Sequence, residues 1–233
     1  MTSLRCHVRK YKDFLDYCER LIGKPIYDFD KDPDKPFISA GQFKKIVSLL
    51  KSKKNIILEG APGVGKTFLT RKIAYQLIGE LKDENIEMVQ FHQSYSYEDF
   101  VQGIRPSEEG GFERRNGIFF DFCSKARRSP DQQFVFIIDE INRGNISKIL
   151  GELMMLIEAD KRKKQYAIKL TYSNEDDERF FVPENVYLIG CMNTADRSLA
   201  IVDYALRRRF RFISIKPEFN EAFINFLEGK GIS

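Results

Sequence analysis

The sequence predicts an α/β fold, a five-stranded, mostly parallel sheet with helices on both faces, and three observations lead to it. Short apolar segments alternate with segments whose apolar residues recur every three or four positions, which is typical of strands joined by crossover helices. The 233 residues, 42% hydrophobic and 31% charged, suffice for one large domain and exclude a disordered or collagen-like chain. The longest strand-like apolar run, Phe134–Ile138, is far shorter than the roughly 20 residues that cross a bilayer.

The N-terminal region, residues 1–36, is expected to be a helix followed by a linker. Apolar residues recur at helical spacing from Val8 to Ile22, and Gly23 would end that helix. The stretch Lys24–Pro36 contains three prolines and alternating charges, which favours a linker. No apolar signal segment follows the basic residues near the start, so we expect a cytoplasmic protein.

The central region, residues 37–217, is expected to hold the sheet. A helix over Phe43–Leu50 precedes it, and further helices are expected over Phe68–Ile78 and Leu150–Ile157. The five strands are expected at Ile56–Leu58, Met88–Phe91, Phe134–Ile138, Val186–Ile189 and Phe210–Ile215.

Two hairpins are expected to project from this core, over Phe112–Phe119 and over Ile168–Val182. The dipeptide of Asn116 and Gly117 would form the turn of the first hairpin, since Asn-Gly suits a two-residue β-turn. The acidic run Glu175–Glu178 would form the tip of the second hairpin. The basic run Lys161–Lys164 is expected to be a solvated loop, with contact to DNA or to a partner as the alternative.

Charge and cysteine content restrict the partners and the compartment. The formal net charge of +4 permits a polyanionic partner but does not require one. The four cysteines, Cys6, Cys18, Cys123 and Cys191, form no C-x-x-C pair, which argues against a zinc site or a disulfide framework. We therefore expect them to be small, reduced, hydrophobic residues.

A phosphate-binding loop is predicted between the first strand and the next helix. Its residues match G-x-x-x-x-G-K-[ST] in full and are Gly60, Ala61, Pro62, Gly63, Val64, Gly65, Lys66 and Thr67, with Phe68 next in the helix. Backbone N–H groups and the helix N-terminus would cradle phosphate oxygens, Lys66 would bridge the β- and γ-phosphates, and Thr67 would bind Mg²⁺. The alternative is a glycine turn that merely connects strand to helix.

Two carboxylates end the strand Phe134–Ile138. Asp139 is expected to hold Mg²⁺ through water, and Glu140 is expected to be the general base that activates the attacking water. The alternative is an acidic pair at the start of a solvated loop.

Asn193 follows the fourth strand and is a candidate for orienting the attacking water together with Glu140. The segment Asn193–Asp196 could instead be compared with a guanine-reading N-K-x-D element, but its lysine is absent. We expect this strand to lie beside the strand that carries Asp139, so that Asn193 faces the γ-phosphate. The alternatives are a loop cap or a contact to the base.

Three consecutive arginines, Arg207–Arg209, precede the last strand. Arginine suits bidentate phosphate contact, so we expect Arg207 or Arg208 to act as an arginine finger on the nucleotide of a neighbouring subunit. The alternative is a cluster that keeps the end of a strand soluble.

Taken together, the motifs resemble the McrB family, AAA+ motor subunits that hydrolyse nucleotide in the methylcytosine-specific restriction system. The resemblance covers about Asn55–Pro217, and its most specific part is Met192–Ser198. The other segments that carry it are Gly60–Thr67, Phe91–Phe100, Asp139–Arg143 and Asp203–Phe210.

The resemblance implies a P-loop nucleoside triphosphatase of AAA+ type that uses Mg²⁺ and GTP in preference to ATP. It also implies a hexameric ring, a McrC-type endonuclease partner, and DNA bound through the assembled complex. Residues 218–233 would only begin the helical lid, and the family's N-terminal DNA-reading domain has no counterpart here. In many AAA+ proteins the base lies between the lid and the segment before the phosphate loop, here about Ile38–Gln42.

Two other functions remain open from the sequence. One is an ATP-driven remodelling protein of the dynein-related group, and the other is a nucleotide-binding module without catalytic activity.

Overall fold

The computed structural model describes residues 26–195 and 204–230. The helix expected over Val8–Ile22 lies outside the described residues, as do Cys6 and Cys18. The helices are α1 (Ala40–Lys53), α2 (Lys66–Ile78), α3 (Tyr97–Phe100), α4 (Ile118–Arg128), α5 (Ile146–Leu150), α6 (Leu153–Leu156), α7 (Tyr204–Arg209) and α8 (Glu221–Gly229).

Five parallel strands form the main sheet in the order β2-β5-β6-β1-β7. They are β1 (Asn55–Gly60), β2 (Ile86–Gln90), β5 (Phe134–Asp139), β6 (Val186–Asn193) and β7 (Arg211–Ser214), and each contains or overlaps a strand expected from the sequence. The α/β fold with a five-stranded parallel sheet is thereby confirmed. Because all five strands are parallel, the carboxyl ends of β1, β5 and β6 meet at one edge of the sheet.

The sheet is covered on both faces, as the continuous apolar runs of its strands require. Residues of β5 alternate between the two faces: Val135 and Ile137 pack under α1 and α2, whereas Phe136 and Ile138 pack under α3 to α6. Helix α1 begins where the Ser39 hydroxyl accepts a hydrogen bond from the backbone N–H of Gln42 (3.2 Å).

The described part of the expected linker packs on this core. Tyr27 and Phe29 are buried, and the ring of Phe29 stacks on that of Phe43 with centroids 4.0 Å apart. Asp32 forms an ion pair with Lys72 of α2 (2.7 Å). These contacts fasten the segment before α1 both to α1 and to α2.

The first hairpin is shifted from its predicted place. Strands β3 (Gln102–Pro106) and β4 (Phe112–Asn116) pair antiparallel and are joined through Gly110 and Gly111, both with positive φ. Asn116 and Gly117 therefore do not form its turn, and that prediction is wrong. Gly117 instead precedes α4, where a Cβ would lie 2.4 Å from the carbonyl carbon of Phe100, so close backbone packing requires the glycine.

Two further expectations are modified by packing. The predicted helix over Leu150–Ile157 is broken at Gly151 (φ 48°), which separates α5 from α6. The second hairpin consists of a single antiparallel bridge between Ile168 and Phe180. Among the described residues, no helix is long and apolar enough to cross a bilayer.

One member of the basic run Lys161–Lys164 is not solvated. Arg162 is 1% exposed, and its guanidinium donates hydrogen bonds to the carbonyl oxygens of Ile157 and Val186 and to Oδ1 of Asn55. The solvated-loop prediction is wrong for this residue, because its side chain turns inward and bridges β1, β6 and the segment after α6.

Candidate functional site

The predicted phosphate loop connects β1 to α2. Gly63 and Gly65 adopt φ of 78° and 76°, a left-handed conformation that favours glycine. A Cβ on Gly60 would lie 2.4 Å from the carbonyl oxygen of Ile215, so this position also requires glycine. The loop thus presents its backbone N–H groups at the N-terminus of a 13-residue helix, a geometry suited to phosphate.

Two polar side chains of the loop, those of Lys66 and Thr67, contact neighbouring groups of the chain. The ammonium group of Lys66 donates hydrogen bonds to the carbonyl oxygens of Gly60 (3.0 Å) and Ala61 (2.7 Å). The Thr67 hydroxyl lies 3.5 Å and 3.4 Å from the two carboxylate oxygens of Asp139. Two oxygen-bearing groups that face each other in this way fit a Mg²⁺ ion that also takes phosphate oxygens and water.

The acidic pair stands at the carboxyl end of β5. Glu140 has φ 50° and ψ 43°, a strained conformation for a residue with a side chain, and such strain is typical of functional sites. Its Oε2 lies 3.3 Å from Nε of Arg143, a charge contact that lacks the alignment of a hydrogen bond. A buried carboxylate oxygen is therefore left with unused acceptor capacity.

Asn193 ends β6, the strand between β5 and β1. It lies in register with Gly60, and the next residue, Thr194, donates its backbone N–H to the Gly60 carbonyl (3.1 Å). The structure therefore places Asn193 next to both the phosphate loop and the acidic pair, as the strand order predicted. Its Oδ1 is buried without a hydrogen-bond partner in the described part of the chain.

Asn142 belongs to the same site, although its role was not predicted from the sequence. Its amide nitrogen lies 3.5 Å from the carbonyl oxygen of Asn193, and its Oδ1 is buried without a partner among the described residues. A signal was present in the sequence, since Asn142 follows the acidic pair by two residues. Glu140, Asn142 and Asn193 together contribute three buried acceptors with unused capacity, as expected of a site that binds a donor such as water.

A pocket of about 580 Å³ adjoins the phosphate loop. It is lined by three parts of the chain, which are Pro33–Ile38, the loop with Phe68, and the segment from Ile215 to α8. The Phe37 ring packs edge-on against Phe223 of α8 (5.3 Å), and Asn220 donates to the Phe37 carbonyl. Of the segment Ile38–Gln42 expected near the base, Ile38 lines this pocket, together with Pro33–Phe37.

The three arginines have different surroundings. Arg209 is paired with Glu158 (2.9 Å) and donates to the carbonyl of Met154, whereas Arg207 and Arg208 are exposed. The guanidinium of Arg207 lies 5.3 Å from the ring centre of Phe212. Only Arg207 and Arg208 have side chains available to an external ligand.

These arginines lie at the opposite edge of the sheet from their own phosphate loop. The carbonyl of Arg209 accepts a hydrogen bond from Asn55, the first residue of β1, and the loop begins at Gly60, its last residue. Five residues of a strand span roughly 17 Å. Within one chain the arginine cluster and the phosphate loop are therefore separated by the length of β1.

The described cysteines are buried and free. Burial raises the pKa of the Cys123 thiol, and it raises that of Cys191, next to the site, to about 12. The expectation of small, reduced, hydrophobic residues is confirmed for these two. No cluster of three or more His, Cys, Asp or Glu side chains that could hold a metal ion occurs in residues 26–195 and 204–230.

Comparison with known proteins gives two restriction-enzyme relatives. The chain is 59% identical to the Type IV methyl-directed restriction enzyme EcoKMcrB subunit of Escherichia coli (strain K12), over 83% of this chain and 42% of that protein. It is 26% identical to the Type II restriction enzyme BsuMI component YdiS of Bacillus subtilis (strain 168), over 76% of this chain and 62% of that protein. The chain thus spans less than two thirds of each relative.

Two comparisons concern the fold and the family. A solved structure of an ATPase candidate from Cytophaga hutchinsonii matches with a TM-score of 0.50 at 16% identity, over 84% of this chain and 52% of that one, which supports the fold alone. Residues 55–210 match the AAA domain of the dynein-related subfamily. This match covers two thirds of the chain and contains the phosphate loop, the acidic pair, Asn193 and the arginine cluster, so the chain belongs to the AAA family, in its dynein-related subfamily.

Proposed function

We propose that this chain is the nucleoside triphosphatase motor of a modification-dependent DNA restriction complex. The observation that carries the proposal is the group of three buried acceptors with unused capacity, Glu140, Asn142 and Asn193, beside a complete phosphate loop. The 59% identity to a restriction subunit supports the choice of complex.

Binding of the triphosphate is assigned to the segment Gly60–Phe68. Its backbone N–H groups cradle the phosphates, and Lys66 leaves the carbonyls of Gly60 and Ala61 to bind the β- and γ-phosphates. Thr67 and Asp139, whose oxygens face each other, would hold Mg²⁺, and that ion would supply neutralisation of charge on the phosphates.

Activation of water is assigned to the carboxyl ends of β5 and β6. Glu140 accepts a proton from the attacking water through its free acceptor capacity, and Asn193 fixes the position of that water with its Oδ1. Asn142 is a positioning residue, because its amide contacts the backbone of Asn193. In a homo-oligomer, Arg207 or Arg208 reaches the γ-phosphate of a neighbouring subunit and stabilises the transition state.

The nucleobase is assigned to the pocket lined by Pro33–Ile38 and α8. GTP is expected to bind more tightly than ATP, because guanine offers N1–H and N2–H₂ donors that adenine does not. Acceptors built to pair with them would be unsatisfied with adenine, at about 1–3 kcal/mol each. Competition titration with both nucleotides and Mg²⁺ measures this, and equal affinities or an ATP preference would overturn the GTP assignment.

Asp196 provides an independent check on the direction in which the end of β6 faces. If Asp196→Asn changed the preference from guanine to xanthine nucleotide, the segment would read the base, and Asn193 would not face the γ-phosphate. We expect the preference to stay unchanged.

The direct test of the motor function is Mg²⁺-dependent hydrolysis of GTP and of ATP, measured alone, with DNA and with a McrC-type endonuclease. We expect hydrolysis of GTP that the endonuclease stimulates. ATP hydrolysis that responds to protein substrates and not to DNA would favour a remodelling ATPase, which the dynein-related match keeps as a second candidate. Tight nucleotide binding without hydrolysis in any of these mixtures would indicate a nucleotide-binding module without catalytic activity.

A further inference from the structure

A basic groove runs along the amino edge of the sheet, opposite the nucleotide site. It consists of two open depressions of about 520 and 620 Å³, which share Arg127, Lys164 and Phe181 and are therefore continuous. Its accessible cations are Lys54, Arg127, Arg128, Lys163, Lys164 and Arg179.

The charge of the groove is largely uncompensated. Two carboxylates, Glu178 and Glu184, are among the lining residues, against six accessible cations. None of these six cations forms an ion pair with a carboxylate in the described part of the chain. Unpaired cations that share one concave surface attract a polyanion more strongly than scattered ones do.

Contacts at the floor of the groove hold two of these cations, Lys54 and Arg127, in place. Lys54 donates to the Glu184 carbonyl (2.8 Å) and the Tyr187 hydroxyl (3.0 Å), and its ammonium lies 4.2 Å from the Tyr187 ring centre. The guanidinium of Arg127 lies 5.4 Å from the ring centre of Phe181. Beneath them the buried Arg162 fixes the start of β6, so the surface is preorganised for binding.

The composition of the groove favours a phosphate backbone over an apolar protein surface or stacked bases. The large apolar residues that are exposed in the described chain all lie outside it, so it lacks the apolar anchor that a protein interface uses. The rings of Tyr187 and Phe181 are already covered by Lys54 and Arg127, which leaves them unsuited to stacking with bases. What remains are exposed cations, which suit the phosphates of a nucleic-acid backbone.

We propose that the basic groove binds the phosphodiester backbone of duplex DNA without regard to sequence. This inference rests on the proposed DNA partner and adds a contact surface far from the nucleotide, at the end of the strands where Asn55 and Arg162 lie. Such contacts depend on salt, because each neutralised phosphate releases counterions.

The test is binding of a fluorescein-labelled 30-base-pair duplex, measured by anisotropy over a series of salt concentrations without nucleotide. The double variant Lys163→Ala with Lys164→Ala should lose roughly 8-fold in affinity per lost phosphate contact at 0.1 M salt. The slope of log K against log salt should become shallower by about 0.9 per contact. The control, Lys31→Ala with Lys45→Ala, removes the same charge at exposed positions outside the groove and should bind as the unaltered chain does.

Three results would overturn the proposal. One is absence of duplex binding by the unaltered chain at 50 mM salt, and another is equal affinity of the groove variant and its control. The third is loss of polyglutamate binding by the groove variant while duplex binding is retained, which would make the groove a surface for acidic protein. Nucleotide affinity, measured on the same samples, should be the same in both double variants. Since no turnover is required, failure of the motor function would leave this result intact.

Discussion

Arg162 is a fully buried arginine without a carboxylate partner among residues 26–195 and 204–230, and its environment explains how the fold tolerates it. Its guanidinium satisfies carbonyl oxygens from two elements and Oδ1 of Asn55. Burial lowers the pKa of the guanidinium to about 10, so it stays charged at neutral pH. Asn55 uses its own amide to donate to the carbonyls of Ile157 (2.8 Å) and Arg209 (2.9 Å), which extends the network to α7.

We expect Arg162→Met to lower the free energy of unfolding by about 2–6 kcal/mol. The substitution conserves volume but leaves the Val186 carbonyl and Oδ1 of Asn55 without a donor, and each buried orphan costs about 1–3 kcal/mol. Urea denaturation measures the change, with the exposed Lys163→Met as the matched control. Equal unfolding midpoints for the two variants would contradict this account of the network.

Substitutions in the phosphate loop and in the acidic pair should affect different properties, nucleotide affinity in the first case and turnover in the second. Lys66→Ala removes a charged contact to phosphate and should weaken triphosphate binding roughly 10- to 150-fold. Glu140→Gln keeps the shape of the site and should leave binding within a few-fold, while turnover falls by about 10²–10⁴-fold. Titration with a fluorescent nucleotide and a phosphate-release assay separate the two effects. Equal loss of affinity in both variants would show that Glu140 does not activate water.

At the scale of elements, the three adjacent arginines of α7 differ in their contacts. Arg209 fastens the helix to Glu158 and Met154, and this leaves its neighbours exposed. A run that looks uniform in sequence therefore contains one structural residue and two that remain available to a partner subunit.

We expect Arg209→Met to lower stability and Arg208→Ala to lower hydrolysis. Arg209→Met breaks a half-buried ion pair and should lower the free energy of unfolding by about 1–3 kcal/mol. Arg208→Ala should leave the unfolding midpoint unchanged but reduce hydrolysis by about 10³–10⁵-fold, as expected for an arginine finger. Arg207→Ala is measured in parallel, because either residue can fill that role. Full hydrolysis in both alanine variants would make the exposed arginines a solubility feature.

The connection from β4 to α4 depends on a glycine at a backbone contact. Gly117 donates its N–H to the Val101 carbonyl (2.7 Å), and a Cβ there would overlap the Phe100 backbone. We expect Gly117→Ala to cost at least about 2 kcal/mol of stability, since backbone cannot move aside as a side chain can. Gly41→Ala in α1 is the matched control, with open space around it and an expected gain of about 0.4–1 kcal/mol. Similar unfolding midpoints would refute the close-packing explanation.

At the scale of the whole molecule, the sheet separates the two halves of the proposed catalytic machinery. The phosphate loop, acidic pair and Asn193 lie at the carboxyl edge, and α7 lies at the amino edge, roughly 17 Å away along β1. An arginine finger on α7 can therefore reach the nucleotide site of another subunit but not that of its own chain. Such an arrangement requires subunits that associate head to tail.

This geometry predicts complementation between inactive subunits. Glu140→Gln subunits keep their arginines and Arg208→Ala subunits keep Glu140, so a mixture contains one type of interface with both groups intact. Phosphate release from the mixture should exceed that of either variant alone and should rise with protein concentration. If mixtures shown by mass photometry to exchange subunits stayed inactive, Arg208 would not act in trans.

The sequence by itself determined the features that depend on local order. Apolar runs and periodicity located the five strands of the main sheet. The phosphate loop, Asp139 and Glu140 followed from residue types at fixed spacing between a strand and a helix. The strand order that puts Asn193 beside Asp139 was also expected, because the motifs restricted the topology.

Only the tertiary structure decided which side chains of a uniform run turn inward and what covers the pocket beside the loop. Arg162 is buried because acceptors from β1, β6 and the end of α6 converge on it, and Gly117 is required because the chain at Phe100 passes within contact distance. Both depend on residues distant in sequence or on backbone approach, for which composition and spacing carry no signal. The positive φ of Glu140 and the pairing of Arg209, but not of Arg207 or Arg208, with Glu158 are likewise set by packing of the whole fold.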